Sequence, residues 1–256
     1  MTIPFEQSHL LTSIPGLRHG FFGRRGGHST GDFASLNISE AVGDNPTLVA
    51  KNRAEVLASM SLPAATVAQL TQVHSNRVVT LTDRHQATGR PEADALVTAN
   101  PNVLLAIQTA DCAPILLTDP QAAVIAAAHA GWKGALSGII GTTIEAMRRL
   151  GAEPSRIVAA IGPTISLDNY EVGPDFAESL LKQHRDAENR LATPPGGRAH
   201  FDLPGFVFDQ LIEAGVGQVH DLRRCTYGNA KHYFSHRRAT HESKKAGRQI
   251  SMIGLV

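Results

Sequence analysis

Apolar positions along the chain follow two rhythms. A short apolar strand candidate around Phe21 and Phe22 runs into a Gly- and Arg-rich segment, residues 20–31 (GFFGRRGGHSTG), which reads as a loop. Over residues 46–59, Leu48, Val49, Val56 and Leu57 fall at helical spacing, with Pro46 in the first turn and Asp44 or Asn45 as the candidate cap. The rhythm then changes. Residues 66–70, 77–82, 95–98, 103–109, 115–118 and 123–128 are short β-branched or apolar runs separated by turns, which predicts strands. VLLAIQT and AAVIAAAHA are nearly continuous apolar runs, the pattern of strands covered on both faces, so helices have to flank the sheet. The helical period returns over residues 132–150, with Leu136, Ile139, Ile140, Ile144 and Met147 on one face, Arg148 and Arg149 in the last turn and Gly151 as the stop. A strand over 156–161, helices over 174–184 and 203–214 and a closing strand over 249–255 complete the reading. It is a mixed α/β (α+β) fold of sheets flanked by helices, in a single layered domain spanning residues 1–256.

No internal period repeats, and the one loop-like shift in composition, residues 193–198 (TPPGGR), is too short for a domain linker. With 42% hydrophobic and 18% charged residues the chain reads as soluble and globular rather than disordered. Lys and Arg number 24 against 23 Asp and Glu, a formal charge of +1. Such a balance supplies no global field for a polyanion or an anionic membrane, so neither nucleic acid nor membrane is expected as a partner. The start, MTIPFEQSHL, lacks a basic region followed by an apolar run, and only Cys112 and Cys225 occur, which makes the cytoplasm the expected compartment. The most apolar stretch, 103–130, is interrupted by Asp111, Pro114, Asp119 and Pro120, so no membrane-spanning helix is expected. Histidine, at 12 copies, is more abundant than packing needs.

Polar residues interrupt the core strands at a few places. Gln72, His74 and Ser75 follow one strand, Asp111 and Cys112 sit within TADCAPILL, and His129 ends AAVIAAAHA. One thiol and two imidazoles, separated by 38 and 17 residues, come from three elements. A catalytic zinc takes three such ligands and leaves a fourth position open; copper(I) accepts the same set. Spacing alone leaves the alternative open that Cys112 is a small buried hydrophobe and that the histidines are satisfied by backbone. The neighbourhood favours chemistry: Gly131 and Gly134 permit close packing beside His129, and Asp111 places a charge in an apolar run. A buried carboxylate is expensive unless partnered, so Asp111 requires Lys133, an arginine or a ligand hydroxyl.

The stretches GRRGGHSTGDFASLNI, VGDN with KNR, QVHS, EADALVT, QTADCAPILL, AAHAGWKG, IGPTI with YEVG, HFDL, CTY and FSHRR, in this order, resemble the YfiH-type laccase-domain family, also known as the polyphenol oxidase or purine nucleoside phosphorylase family. The resemblance covers nearly the whole chain, and TADCAP followed by HAGWKG is its most specific part. It implies a zinc-dependent enzyme that cleaves adenosine, inosine and methylthioadenosine with phosphate to the free base and ribose 1-phosphate, with adenosine deamination as a second activity. It places His74, Cys112 and His129 on metal-binding positions, with zinc as the expected ion and copper as the other. A zinc-bound water, its pKa lowered towards neutrality, suits attack on C6 of adenine, with Asp111 as a candidate proton acceptor beside Cys112 and His129. Phosphate requires a cationic pocket, for which Arg24, Arg237 and Arg238 are candidates because a guanidinium fork matches phosphate oxygens. Tyr170 and Asn37, with Phe22 and Tyr227, are candidates for stacking on or hydrogen-bonding the purine. Two departures stand out: Thr164 replaces the cysteine of IGPCI, and His236 replaces the tyrosine of FSYRR, followed by a longer tail over 239–247.

Three rivals remain. Laccase chemistry needs several copper sites, commonly built from His-x-His pairs, and none occurs. A metal-free hydrolase acting on cell-wall precursor peptides would use Cys112 as nucleophile and His129 as base. A metal-binding partner module would be non-enzymatic. His232, His236 and His241 could form a second metal cluster, but Tyr233 and Phe234 among them read as core, and Cys225 reads as structure in the CTY turn. GRRGG lacks the GxxxxGK[ST] pattern, so no nucleotide triphosphate loop is implied. A monomer or weak homodimer is expected.

Overall fold

A computed structural model describes residues 3–62 and 66–256. The chain runs β1 (Phe5–Glu6), α1 (His9–Thr12), β2 (Leu17–Phe22), α2 (Pro46–Ser59), β3 (Thr66–Ala68), β4 (Val78–Leu81), β5 (Ala95–Thr98), β6 (Val103–Thr109), β7 (Ala113–Asp119) and β8 (Val124–Ala130). It continues through α3 (Trp132–Leu136), α4 (Ile139–Arg149), β9 (Val158–Ile161), α5 (Pro174–Gln183), β10 (Leu191–Ala192), β11 (His200–Phe201), α6 (Leu203–Glu213), β12 (Gln218–Asp221), α7 (His236–His241) and β13 (Gln249–Leu255).

Two mixed sheets form the body of the fold: a five-stranded one ordered β1-β2-β13-β6-β3 and a six-stranded one ordered β12-β9-β7-β8-β5-β4. Their central pairings are antiparallel, and parallel pairs lie at the edges, β4 with β5, β12 with β9 and β3 with β6. Side chains of successive strand residues point to opposite faces, and in β6 both faces are buried. Leu105 and Ile107 meet Phe21, Leu116, Ile125 and Ala127 between the sheets, while Leu104 and Ala106 join Val56 of α2 and Met60 on the outer side. On the far side, Ile115, Val97 and Ala126 pack against Ile140 and Ile144 of α4 and Phe206 of α6. The order is therefore helix, sheet, sheet, helices, the mixed α/β arrangement that the continuous apolar runs imply.

Local chemistry explains the element ends. The Asn45 side chain accepts from the Thr47 backbone N–H and Pro46 opens α2, which settles the cap on Asn45. The helix expected over 132–150 is two helices. Gly138 adopts φ +87° and breaks the path between α3 and α4, a conformation that costs glycine little. α4 still buries Ile139, Ile140, Ile144 and Met147, so truncating Ile144 to Ala would cost about 2–5 kcal/mol in lost transfer energy and cavity.

Candidate metal centre and active site

One end of the two sheets assembles the site. β6 of the first sheet ends at Thr109 and β7 of the second begins at Ala113, so Ala110, Asp111 and Cys112 carry the chain from sheet to sheet. The sharp crossing puts Asp111 at φ +91°, a region that non-glycine residues avoid. β8 is antiparallel to β7, with His129 opposite Pro114, which brings the end of β8 beside Cys112. His74 arrives on the loop between β3 and β4, at φ +60°.

These three side chains converge. Their donor atoms all lie within 4.8 Å of one another. Cys112 Sγ is 3.7 Å from His74 Nε2, and the two imidazole centroids are 4.9 Å apart. His129 is buried, Cys112 half-buried and His74 exposed, so the group has a protein side and an open side. Both cysteines are free thiols. Burial alone would raise the Cys112 thiol and lower His129. Their mutual attraction outweighs this and pulls the thiol below, and the imidazole above, its ordinary value.

Asp94, which stands out in the sequence only as a carboxylate entering an apolar run, organises the triad. It is fully buried just ahead of β5, and its Oδ1 accepts from His129 Nδ1 at 2.9 Å. That bond leaves His129 Nε2 as the donor that faces the site, the arrangement by which carboxylates fix metal-binding histidines. The same carboxylate accepts the backbone N–H groups of Val73, His74 and Ser75 at 3.3, 3.0 and 2.6 Å and the Ser75 hydroxyl at 2.8 Å. Burial would raise its pKa, but the bonds from His129 and Ser75 prevail and hold it well below the usual carboxylate range. A signal existed in the sequence: a carboxylate entering the apolar run ALVT needs several donors.

Gly131 completes the cradle. A Cβ there would sit 2.6 Å from His74 Cδ2 and 3.0 Å from Cys112 Sγ, so only glycine leaves the triad its space.

Two cavities open onto the triad, each of about 500 Å³. The first is lined by Val73, Trp132, Ile165, Tyr170 and Arg237; the second by Gln72, Arg90, Thr109 and Arg248. His74, Cys112 and His236 border both, which places the histidine that departs from FSYRR at the junction.

The other sequence candidates divide. Arg237 lies across the Tyr170 ring at 5.3 Å, donates through Nη1 to the Glu171 carbonyl, and makes no ion pair among the described residues. Asp111 is buried, its carboxylate accepting from the Thr226 hydroxyl at 2.6 Å and the Arg237 backbone N–H at 2.7 Å. It lines the first cavity while tying the CTY and FSHRR segments together, and its partners are thus a hydroxyl and a main-chain amide of this chain. Arg24, Asn37 and Arg238 line neither cavity. Arg24 donates to the carbonyls of Ala34, Ala230 and Asp32 and lies over Phe234. Asn37 is fully buried and joins Ser39, Asp44 and Arg248. Arg238 donates to the Tyr227 carbonyl and pairs with Glu242. His232, His236 and His241 do not converge; among the described residues only His74, Cys112 and His129 form a group able to hold a metal. Cys225 accepts from Ser166, Asn169 and Gly228.

The fold and the site define a mixed α/β protein with a three-donor site able to hold a metal between two cavities. The chain belongs to the laccase-domain family: a family profile described as multi-copper polyphenol oxidoreductase laccase matches residues 18–256. A purine nucleoside phosphorylase of Deinococcus radiodurans is 45% identical over 238 residues, spanning 93% of this chain and 88% of that protein. One from Mycobacterium tuberculosis is 38% identical over 232 residues, spanning 91% and 89%. Among solved structures, a Neisseria meningitidis protein matches with a TM-score of 0.87 at 33% identity, covering 100% of this chain and 99% of its own. YlmD from Geobacillus stearothermophilus matches at 0.86 and 32%, with 100% and 99% covered. No described helix is long and apolar enough to cross a membrane.

Proposed function

We propose that the protein is a zinc-dependent purine nucleoside phosphorylase acting on adenosine, inosine or methylthioadenosine, with adenosine deamination as a side activity. The observation that carries this reading is the convergence of His74, Cys112 and His129 between two cavities, in a chain whose relatives are named purine nucleoside phosphorylases. The donor set fits zinc: one thiol of lowered pKa, one imidazole oriented by Asp94, and a second imidazole on the open side. The same set accepts copper(I). A cytoplasmic, reducing setting would keep Cys112 available as a ligand.

When bound, zinc supplies Lewis acidity at the junction of the cavities. The chain's own residues do the rest. Trp132, Ile165 and Tyr170 provide apolar and aromatic surface against which a purine nucleoside packs. Arg237, held over Tyr170 and lacking a carboxylate partner among the described residues, donates to oxygen atoms of the bound substrate. Asp111 fixes the start of α7 and hence the position of Arg237, and its carboxylate is the candidate acceptor for the proton of the attacking water, which the departing ammonia takes up in deamination.

Base release from adenosine and inosine, with and without inorganic phosphate, tests the reading. Phosphate-dependent release of adenine and hypoxanthine that vanishes in Cys112→Ala supports it; a folded wild-type protein that releases neither base overturns it. One observation favours a second reading. Cys112 and the two histidines also form a thiol–imidazole set, which a metal-free peptide hydrolase would use with Cys112 as nucleophile and His129 as base. Metal content separates the two.

A further inference from the structure

The second cavity has a composition that the nucleoside reading leaves unused. No Asp or Glu lines it, whereas Arg248, Arg90, His74, His129 and His236 do. Arg248 is half-buried and makes no ion pair among the described residues; only its Nη1 is engaged, on the Ala246 and Gly247 carbonyls at 2.9 and 3.1 Å. Burial lowers its pKa, against the opposing pull of Cys112 and Asp111. Beside it lies an independent sign of a missing partner. Thr109 lines the cavity, is 2% exposed, and its Oγ1 has no hydrogen-bond partner. Buried polar groups without partners are rare and costly. A guanidinium with two free edges and a buried hydroxyl, both able to donate and with no carboxylate lining the cavity, call for a ligand rich in acceptor oxygens.

We infer that this second cavity is an oxyanion subsite that takes a phosphate group, with Arg248 as its principal cation and Thr109 as a hydroxyl donor. A nucleoside in the first cavity and a phosphate in the second would then meet at the triad from opposite sides. The assignment of the phosphate to inorganic phosphate rests on the phosphorylase reading; the phosphate-binding chemistry does not.

Calorimetric titration of the purified protein with inorganic phosphate, and separately with adenosine 5′-monophosphate, tests the inference on wild type, Arg248→Gln, Thr109→Val and Arg237→Gln. Arg248→Gln weakens phosphate binding at least tenfold and Arg237→Gln changes it less than threefold. Thr109→Val is the variant that separates a binding role from a structural one: it removes an orphaned hydroxyl, so thermal stability holds or rises while phosphate affinity falls severalfold. Loss with inorganic phosphate identifies the free ion as the ligand, and loss with the nucleotide alone identifies the substrate's own phosphate. Unchanged binding of both in folded Arg248→Gln overturns the inference. Its failure is distinct from that of the phosphorylase reading: phosphorolysis with an unaltered phosphate KM in Arg248→Gln defeats the subsite alone, and Arg248-dependent phosphate binding without base release defeats phosphorolysis alone.

Discussion

The Asp94 carboxylate and the His129 imidazole, 2.9 Å apart and both buried, join the wall of the site to its floor. One oxygen orients His129 while the carboxylate as a whole gathers the three amides that fix the His74 loop. A single side chain therefore positions two of the three donors. Asp94→Asn keeps the size but replaces one acceptor oxygen by a donor. Zinc affinity, measured by competition with a chromophoric chelator, is expected to fall about 10- to 100-fold, the range seen when such outer partners are removed. Unchanged affinity would mean that His129 is oriented by other contacts.

Gly131→Ala tests the space around the triad. The backbone there has φ −76°, which alanine adopts, so the clash with His74 and Cys112 is the main effect. Metal affinity is expected to fall by more than tenfold, with a loss of stability of about 1 kcal/mol from the poorer helix N-cap. Chelator competition and urea unfolding of the metal-free protein measure the two effects separately.

The arginines are predicted to separate by role. Arg237→Gln should raise the nucleoside KM about tenfold with metal content unchanged, because a charge-assisted contact to substrate is worth about 1.5–3 kcal/mol. Arg24→Gln should leave KM unchanged and lower stability by about 2 kcal/mol, since it releases the carbonyls held by a charged donor. Steady-state kinetics and urea unfolding on the same preparations check both outcomes.

Stability is expected to fall in mild acid because of His19. This residue is 1% exposed, its Nε2 accepts from the Ser8 backbone N–H, and burial lowers its pKa from 6.5 to about 4. Between these values the unfolded chain binds a proton that the folded chain refuses, so the stability present above pH 6.5 is lost as pH falls towards 4. At 1.36 kcal/mol per pKa unit the full loss is about 3 kcal/mol. Urea unfolding of the metal-free protein across this range should show the slope, reduced in His19→Gln.

Much of this architecture was legible because continuous apolar runs such as VLLAIQT imply strands buried on both faces. The closing strand and α2 carry patterns whose ends coincide with their observed bounds. β12 is not legible in the sequence, because QVHD at a sheet edge carries little apolar pattern. The break at Gly138 was hidden because a lone glycine does not interrupt a helical period of apolar residues. At the site, the residues offering unusual donors within apolar strands were visible. The apolar run marks Asp94 only as a carboxylate in need of donors, and which donors those are depends on Val73, His74, Ser75 and His129, 19 to 35 residues away; Arg248 draws its meaning from a cavity built by several elements. Arg24, Asn37 and Arg238 lie in polar segments that by pattern alone suit a site, and only the fold shows their hydrogen bonds turned inward on the protein itself.

The most direct test of the central claim is metal content of the freshly purified protein measured together with phosphate-dependent base release, for wild type, His74→Ala and Cys112→Ala. About one zinc per chain is predicted for wild type, with hypoxanthine released from inosine only when phosphate is present, and both lost in the two variants. A wild-type protein that releases base without metal, or that loses its metal in neither variant, would contradict the account.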